Sequence, residues 1–174
     1  MKRAITFPGQ GSQYVGMGKS LYDTFPVAKA VFQEIDDALG ANLSKIMFEG
    51  PEDDLKLTHN TQPALMAHSL AVIRILTDGG VGLSDIADYA AGHSLGEYSA
   101  LAATGAIELS DTAKLLRLRG EAMQRAVPIG SGAMAALIGI GYDTVKAVCE
   151  EASEGEVCDL ANDNAYGQLG IGNT

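Results

Sequence analysis

Gly92-His93-Ser94-Leu95-Gly96 separates two segments of opposite character. Upstream, Ile86-Ala87-Asp88-Tyr89-Ala90-Ala91 is short, largely apolar and bounded by polar or turn residues, the pattern of a buried strand. Downstream, Leu95 to Ala103 has the spacing and alanine content of a helix. A serine on so sharp a strand-to-helix turn holds a strained backbone. Glycines two positions to either side let strand and helix approach without side-chain clash. The hydroxyl of Ser94 then projects beside a helix N-terminus, where free N–H groups can stabilise an oxyanion. The plainer alternative is an ordinary tight turn, but the strand before and the helix after favour a nucleophile.

The chain of 174 residues has room for one domain, or one domain and part of another. With 47% hydrophobic and 20% charged residues it can build a sizeable core and is not disordered. A net charge of −10 argues against general affinity for nucleic acid or for an anionic membrane. Lys2-Arg3 is followed by too short an apolar run for a signal peptide, and no apolar stretch approaches membrane-spanning length. Cys149 and Cys158 lack a C-x-x-C spacing and form no ligand set with the histidines. The expectation is reduced thiols, no structural metal and a cytoplasmic protein.

Outward from the serine, the chain reads as alternating strands and helices. Arg3 to Phe7 is a first buried strand, ended by Pro8 and Gly9. One helix is expected from Lys19 to Leu39, a short one from Leu43 to Phe48, and a long one from Thr61 to Leu76 with Pro63 in its first turn. A further helix starts with Ser110 as N-cap and ends before Pro128. Pro128, Gly130 and Gly132 mark a boundary. Beyond it the pattern becomes strand (Ala133–Ile140), helix (Tyr142–Ala152), strand (Val157–Ala161) and an incomplete strand near Gln168–Ile171, the opening of a small α+β subdomain.

A hydroxyl nucleophile needs a base, normally histidine. His59, His68 and His93 all precede or adjoin Ser94, and none has a pattern that marks it as that base. An oxyanion hole needs two converging N–H donors. Leu95 can supply one and the Gly9-Gln10-Gly11 loop the other. A phosphate-binding role for that loop is disfavoured, because its glycines fit neither nucleotide-loop spacing. On the helix after Ser110, a stripe of Thr112, Leu115, Leu116, Arg119, Ala122, Met123 and Ala126 sets one guanidinium in an apolar face. Its partner is either a protein carboxylate or a carboxylate on a substrate. Lys114, Arg117 and Arg125 fall on the other side, as a solvated face or a basic patch.

Pro8-Gly9-Gln10-Gly11-Ser12-Gln13, Thr61-Gln62-Pro63-Ala64-Leu65, Gly92-His93-Ser94-Leu95-Gly96-Glu97-Tyr98-Ser99-Ala100-Leu101 and Arg119-Gly120 together resemble the malonyl-CoA:acyl carrier protein transacylases of bacterial type II fatty-acid synthesis. The resemblance covers nearly the whole chain. It implies a hydrolase-like α/β core with a parallel sheet and nucleophile elbow over residues 1–127, and the beginning of an inserted ferredoxin-like α+β subdomain over 128–174. It also implies ping-pong transfer. Ser94 takes malonyl from malonyl-CoA as an ester, and the phosphopantetheine thiol of acyl carrier protein receives it. By position, Gln10 and Leu95 form the oxyanion hole, Arg119 grips the malonyl carboxylate, and Gln62 and His93 line the site. No metal or redox cofactor is implied.

The chain departs from that family at its end, where the part carrying the catalytic histidine is expected. Gly167 to Thr174 is also too glycine-rich for the apolar strand expected there. A truncated, impaired enzyme is therefore the expectation. The rival readings are a serine esterase or thioesterase, a non-catalytic acyl-CoA or carrier-protein binding module, and a polyketide-synthase acyltransferase domain.

Overall fold

The computed structural model describes residues 1–127 and 130–173. Its order is β1 (Ala4–Phe7), α1 (Lys19–Thr24), α2 (Pro26–Leu39), α3 (Leu43–Glu49), α4 (Glu52–Lys56), α5 (Thr58–Asp78), α6 (Leu83–Ile86), β2 (Tyr89–Gly92), α7 (Leu95–Ala103), α8 (Leu109–Ala126), β3 (Ala133–Ile138), α9 (Tyr142–Ala152), β4 (Cys158–Ala165) and β5 (Gln168–Asn173). The fold is mixed α/β and mostly helical, with one small parallel and one small antiparallel sheet. It divides into two compact units, Met1–Met123 and Gln124–Thr174. The boundary residue singled out in the sequence, Pro128, lies outside the described residues. Among the described residues no helix is long and apolar enough to cross a membrane.

In the first unit β1 and β2 pair in parallel, with Phe7 opposite Gly92. Both strands therefore end at the same level, and the loops leaving them start side by side. The core is built around α5, which buries Ala64, Leu65, Met66, Ala67, Leu70 and Ala71 against α2, α3, α4, α7 and α8. A helix covered on so many sides needs apolar residues around most of its circumference, which is why no single stripe marks it in the sequence. Tyr22, Phe32 and Phe48 close one flank with ring centroids 5.2 to 6.0 Å apart.

Several boundaries differ from the expected ones. The helix expected from Lys19 to Leu39 is two helices, because Pro26 has no N–H to continue a helix and instead opens α2 at its first position. The long helix begins at Thr58, a turn before Thr61, so Pro63 sits inside it. Ser110 is within α8 rather than capping it, since the helix already starts at Leu109. Ile86 ends a short helix, and the strand before the serine is only Tyr89–Gly92.

In the second unit the antiparallel order is β3-β5-β4, with α9 on one face. Val145 and Cys149 of α9 pack on Leu169, with Leu137, Leu160 and Ile171 around them. The glycine-rich end does not break the strand. β5 is the central strand: Leu169 and Ile171 face the core while Gly170 and Gly172 fall on the other side by alternation. A side chain at Gly170 would meet Asn162 at 3.1 Å, so a small residue suits that position.

Candidate active site

Ser94 joins β2 to α7 with φ 54° and ψ −112°, a conformation that costs a non-glycine residue about 1–3 kcal/mol. The flanking glycines explain why this turn closes. A Cβ on Gly92 would lie 1.9 Å from the carbonyl carbon and oxygen of Gly96, and one on Gly96 would lie 2.3 Å from the Phe7 carbonyl oxygen. Strand, turn and helix are therefore in backbone contact at both positions. Leu95, buried, is the first residue of α7, where a helix leaves its N–H groups without intrahelical partners.

The loop after β1 is pressed onto the same turn. A Cβ on Gly9 would be 2.4 Å from His93 Nδ1 and 3.1 Å from the His93 carbonyl oxygen. Gln10 stands three residues beyond Phe7, as Leu95 stands three beyond its partner Gly92. The parallel register thus starts the loop that carries Gln10 and the turn that leads to Leu95 side by side.

Arg119 reaches this turn from α8. Its Nη2 donates to Ser94 Oγ at 2.9 Å and its Nη1 to Gln62 Oε1 at 2.7 Å. Gln62 is wholly buried, and its Nε2 donates to Met123 Sδ at 3.2 Å. The amide orientation follows from this pair, because arginine only donates and its partner must be the oxygen. The Tyr98 ring lies below the guanidinium, with its centroid 5.9 Å from Cζ. Among the described residues Arg119 makes no ion pair; both hydrogen-bond partners are neutral.

The expected apolar stripe of α8 needs correction. The buried residues are Leu109, Thr112, Ala113, Leu116 and Gly120, whereas Leu115 and Met123 are exposed. The reason is that Gly120, not Arg119, is the point of closest approach to α5: its missing Cβ would fall 2.4 Å from His59 Cα. Arg119 is displaced to the rim of the contact, half-buried. Arg117 also departs from the exposed basic set. Its Nη1 donates to Asn60 Oδ1 at 2.6 Å, and burial lowers its pKa against an opposing pull from Glu121. Lys114 does face solvent, 3.8 Å from Asp111.

The structure thus brings Ser94, Arg119 and Gln62 into one hydrogen-bonded chain and sets His93 beside Gly9. Among the described residues no histidine is hydrogen-bonded to Ser94 Oγ. His68 is half-buried in α5 near Gly18, and burial lowers its pKa. Sequence reasoning missed the Asn60–Arg117 bond, the Met123 thioether beneath Gln62 and the Tyr98 ring. Only the last had a signal, since Ser94 and Tyr98 are four residues apart on the helix that opens at the serine.

A serine on a strand-to-helix elbow, with an arginine on its hydroxyl, is an arrangement suited to acyl transfer. The chain belongs to the acyl transferase domain family, whose pattern matches residues 5–157. Within that family it is a homologue of malonyl CoA-acyl carrier protein transacylases. The Bacillus subtilis protein is 47% identical over 174 residues, covering 99% of this chain and 54% of its own length. A crystal structure of the acyl-carrier-protein-S-malonyltransferase from Bartonella henselae is 55% identical with a TM-score of 0.93, covering 99% of this chain and 55% of that one. A type II PKS acyl-carrier protein in complex with its malonyl-transacylase matches at 41% identity and TM-score 0.88, with 99% and 55% covered. The chain therefore spans about half the length of these relatives.

Proposed function

We propose that the chain carries the nucleophile and the acid-recognition part of a malonyl transfer centre, moving malonyl from malonyl-CoA to the phosphopantetheine thiol of an acyl carrier protein. The observation that carries this reading is the contact of Arg119 with Ser94. A fixed cation beside a nucleophile suits an acyl group that ends in a carboxylate one methylene from its thioester. An esterase of neutral acyl groups gains nothing from it.

Ser94 Oγ attacks the thioester carbonyl, the C–S bond breaks and CoA leaves as its thiol. The resulting malonyl ester is then attacked by the carrier thiol, which restores Ser94. The backbone N–H groups of Gln10 and Leu95 hold the oxyanion in each half. The free Ser94 hydroxyl accepts a hydrogen bond from Arg119, which engages a lone pair of the attacking oxygen. The malonyl carboxylate offers Arg119 a charge-assisted, two-point partner and so releases Oγ for attack. Gln62 fixes the direction of the guanidinium, and His93 supports the loop of Gln10. With no histidine hydrogen-bonded to Ser94 Oγ among the described residues, acylation of Ser94 and onward transfer by the 174 residues are slow but detectable. Residues 1–127 fit a hydrolase-like core and 128–174 the start of a ferredoxin-like subdomain.

The test is intact-mass analysis after exposure to malonyl-CoA or acetyl-CoA. Malonyl should accumulate on Ser94 in preference to acetyl, vanish in Ser94→Ala, and lose its preference over acetyl in Arg119→Ala. An unchanged preference in Arg119→Ala overturns the assignment of that residue. Absence of any adduct points instead to a non-catalytic binding module.

A further inference from the structure

Two thiols that acyl transfer leaves unused lie together in the second unit. Cys149 is on the buried face of α9, one turn beyond Val145, and is 4% exposed. Cys158 opens β4 and alternates with Leu160 toward the α9 side of the sheet. Both belong to the cluster around Leu169, and both are free. Their accessibility differs. A surface cavity of about 220 Å³, lined by Ala133, Met134, Ala135, Cys158, Ile171 and Gly172, opens onto Cys158 and is not lined by Cys149.

The geometry points to a peroxide-reactive dithiol, in which Cys158 meets the oxidant and Cys149 resolves it into an intramolecular disulfide across the turn between α9 and β4. In the first step Cys158 Sγ attacks one oxygen of hydrogen peroxide. The O–O bond breaks, one water leaves, and Cys158 becomes a sulfenic acid. In the second, Cys149 Sγ attacks the Cys158 sulfur, the S–O bond breaks and a second water leaves. Two thiols and one peroxide give one disulfide and two waters, the two sulfurs together losing the two electrons that reduce the peroxide.

The order of the steps follows from the surroundings. Burial, and then the neighbouring Cys158 thiol, push the Cys149 thiol above its ordinary value, which keeps it a poor first nucleophile. Once Cys158 is a sulfenic acid, Cys149 is the thiol packed beside it. Only the short segment 150–157 separates them in sequence, so closure is intramolecular.

The experiment treats the reduced 174-residue chain with hydrogen peroxide, alkylates it, and measures intact mass and linked peptides. The expected product is a monomer about 2 Da lighter that takes up no alkylating reagent, carries a 149–158 crosslink and reverts with dithiothreitol. Cys149→Ala, which keeps the buried site apolar, should leave a Cys158 sulfenic acid that dimedone traps. In Cys158→Ser, oxidation of Cys149 should slow at least about tenfold. The proposal is overturned by disulfide-linked dimers in place of the internal bond. It is equally overturned by two alkylatable thiols after a dose that oxidises free cysteine, or by Cys149 oxidising in Cys158→Ser as fast as in the parent chain. Circular dichroism of each variant shows that the fold is retained. None of these outcomes depends on Ser94.

Discussion

Gly96→Ala sets two physical effects against each other. Gly96 is the second residue of α7, and by helix propensity alone alanine there should stabilise by up to about 1 kcal/mol. The backbone around it says the opposite. The added methyl would lie 2.3 Å from the Phe7 carbonyl oxygen and 2.9 Å from both the Phe7 carbonyl carbon and the Pro8 carbonyl oxygen. Ordinary contact between such atoms needs roughly 3.5 Å, so α7 and β1 must separate by about 1 Å. No side chain can rotate away, because all three obstacles are main chain. Overpacking of this kind costs about 1–3 kcal/mol, and the rigid surroundings put Gly96→Ala at the upper end, near 3. That is a fall of roughly a hundredfold in the ratio of folded to unfolded chain. Urea denaturation followed by circular dichroism measures it, with Gly79→Ala as the control. Gly79 has φ −74°, and its absent Cβ meets nothing closer than 3.4 Å, so that substitution should change stability by less than about 0.5 kcal/mol. If Gly96→Ala is as stable as Gly79→Ala, the account of the elbow as a backbone-to-backbone contact is wrong.

Gly120→Ala pushes a methyl to 2.4 Å from His59 Cα and should destabilise by about 1–3 kcal/mol, read as a lower urea midpoint. Gly9→Ala brings a methyl equally close to an imidazole, which can turn aside. Its stability loss should stay below that of Gly96→Ala while the His93 ring resonances shift in the NMR spectrum. His68 carries a pKa lowered by burial from the ordinary 6.5, so the unfolded chain takes up the proton first as the pH falls. Its contribution is therefore complete above about pH 6.5 and shrinks as the pH drops toward the lower folded value, and melts of His68→Gln across that range should show a shallower slope than the parent chain.

The elbow was legible because its requirements are local: a short apolar strand, a serine, two glycines and an alanine-rich helix occupy one continuous segment. Helix ends were less legible. Pro26 lies inside a periodic pattern that continues through it, although it can only open a helix there or break one. The orientation of α8 could not be read from its own residues, because the contact that fixes it is the backbone of His59, some sixty residues away. Periodicity alone placed Arg119 in the middle of the buried stripe, and the close approach at Gly120 moves it to the rim. The Gln62–Arg119 bond depends on how α5 and α8 cross, which no single segment encodes. Glycines in β5 looked like a strand breaker, yet the alternate residues Leu169 and Ile171 were enough to hold a central strand.

The position of the Arg119 guanidinium is set by Gln62, an amide with no solvent exposure on the most enclosed helix of the first unit. A cation carried by a surface loop would drift with that loop; this one is anchored to the hydrophobic interior. Under the proposed function, substitutions that loosen the seam between α5 and α8 should therefore widen the range of acids admitted well before they melt the protein, and tightening that seam should give a stricter gauge.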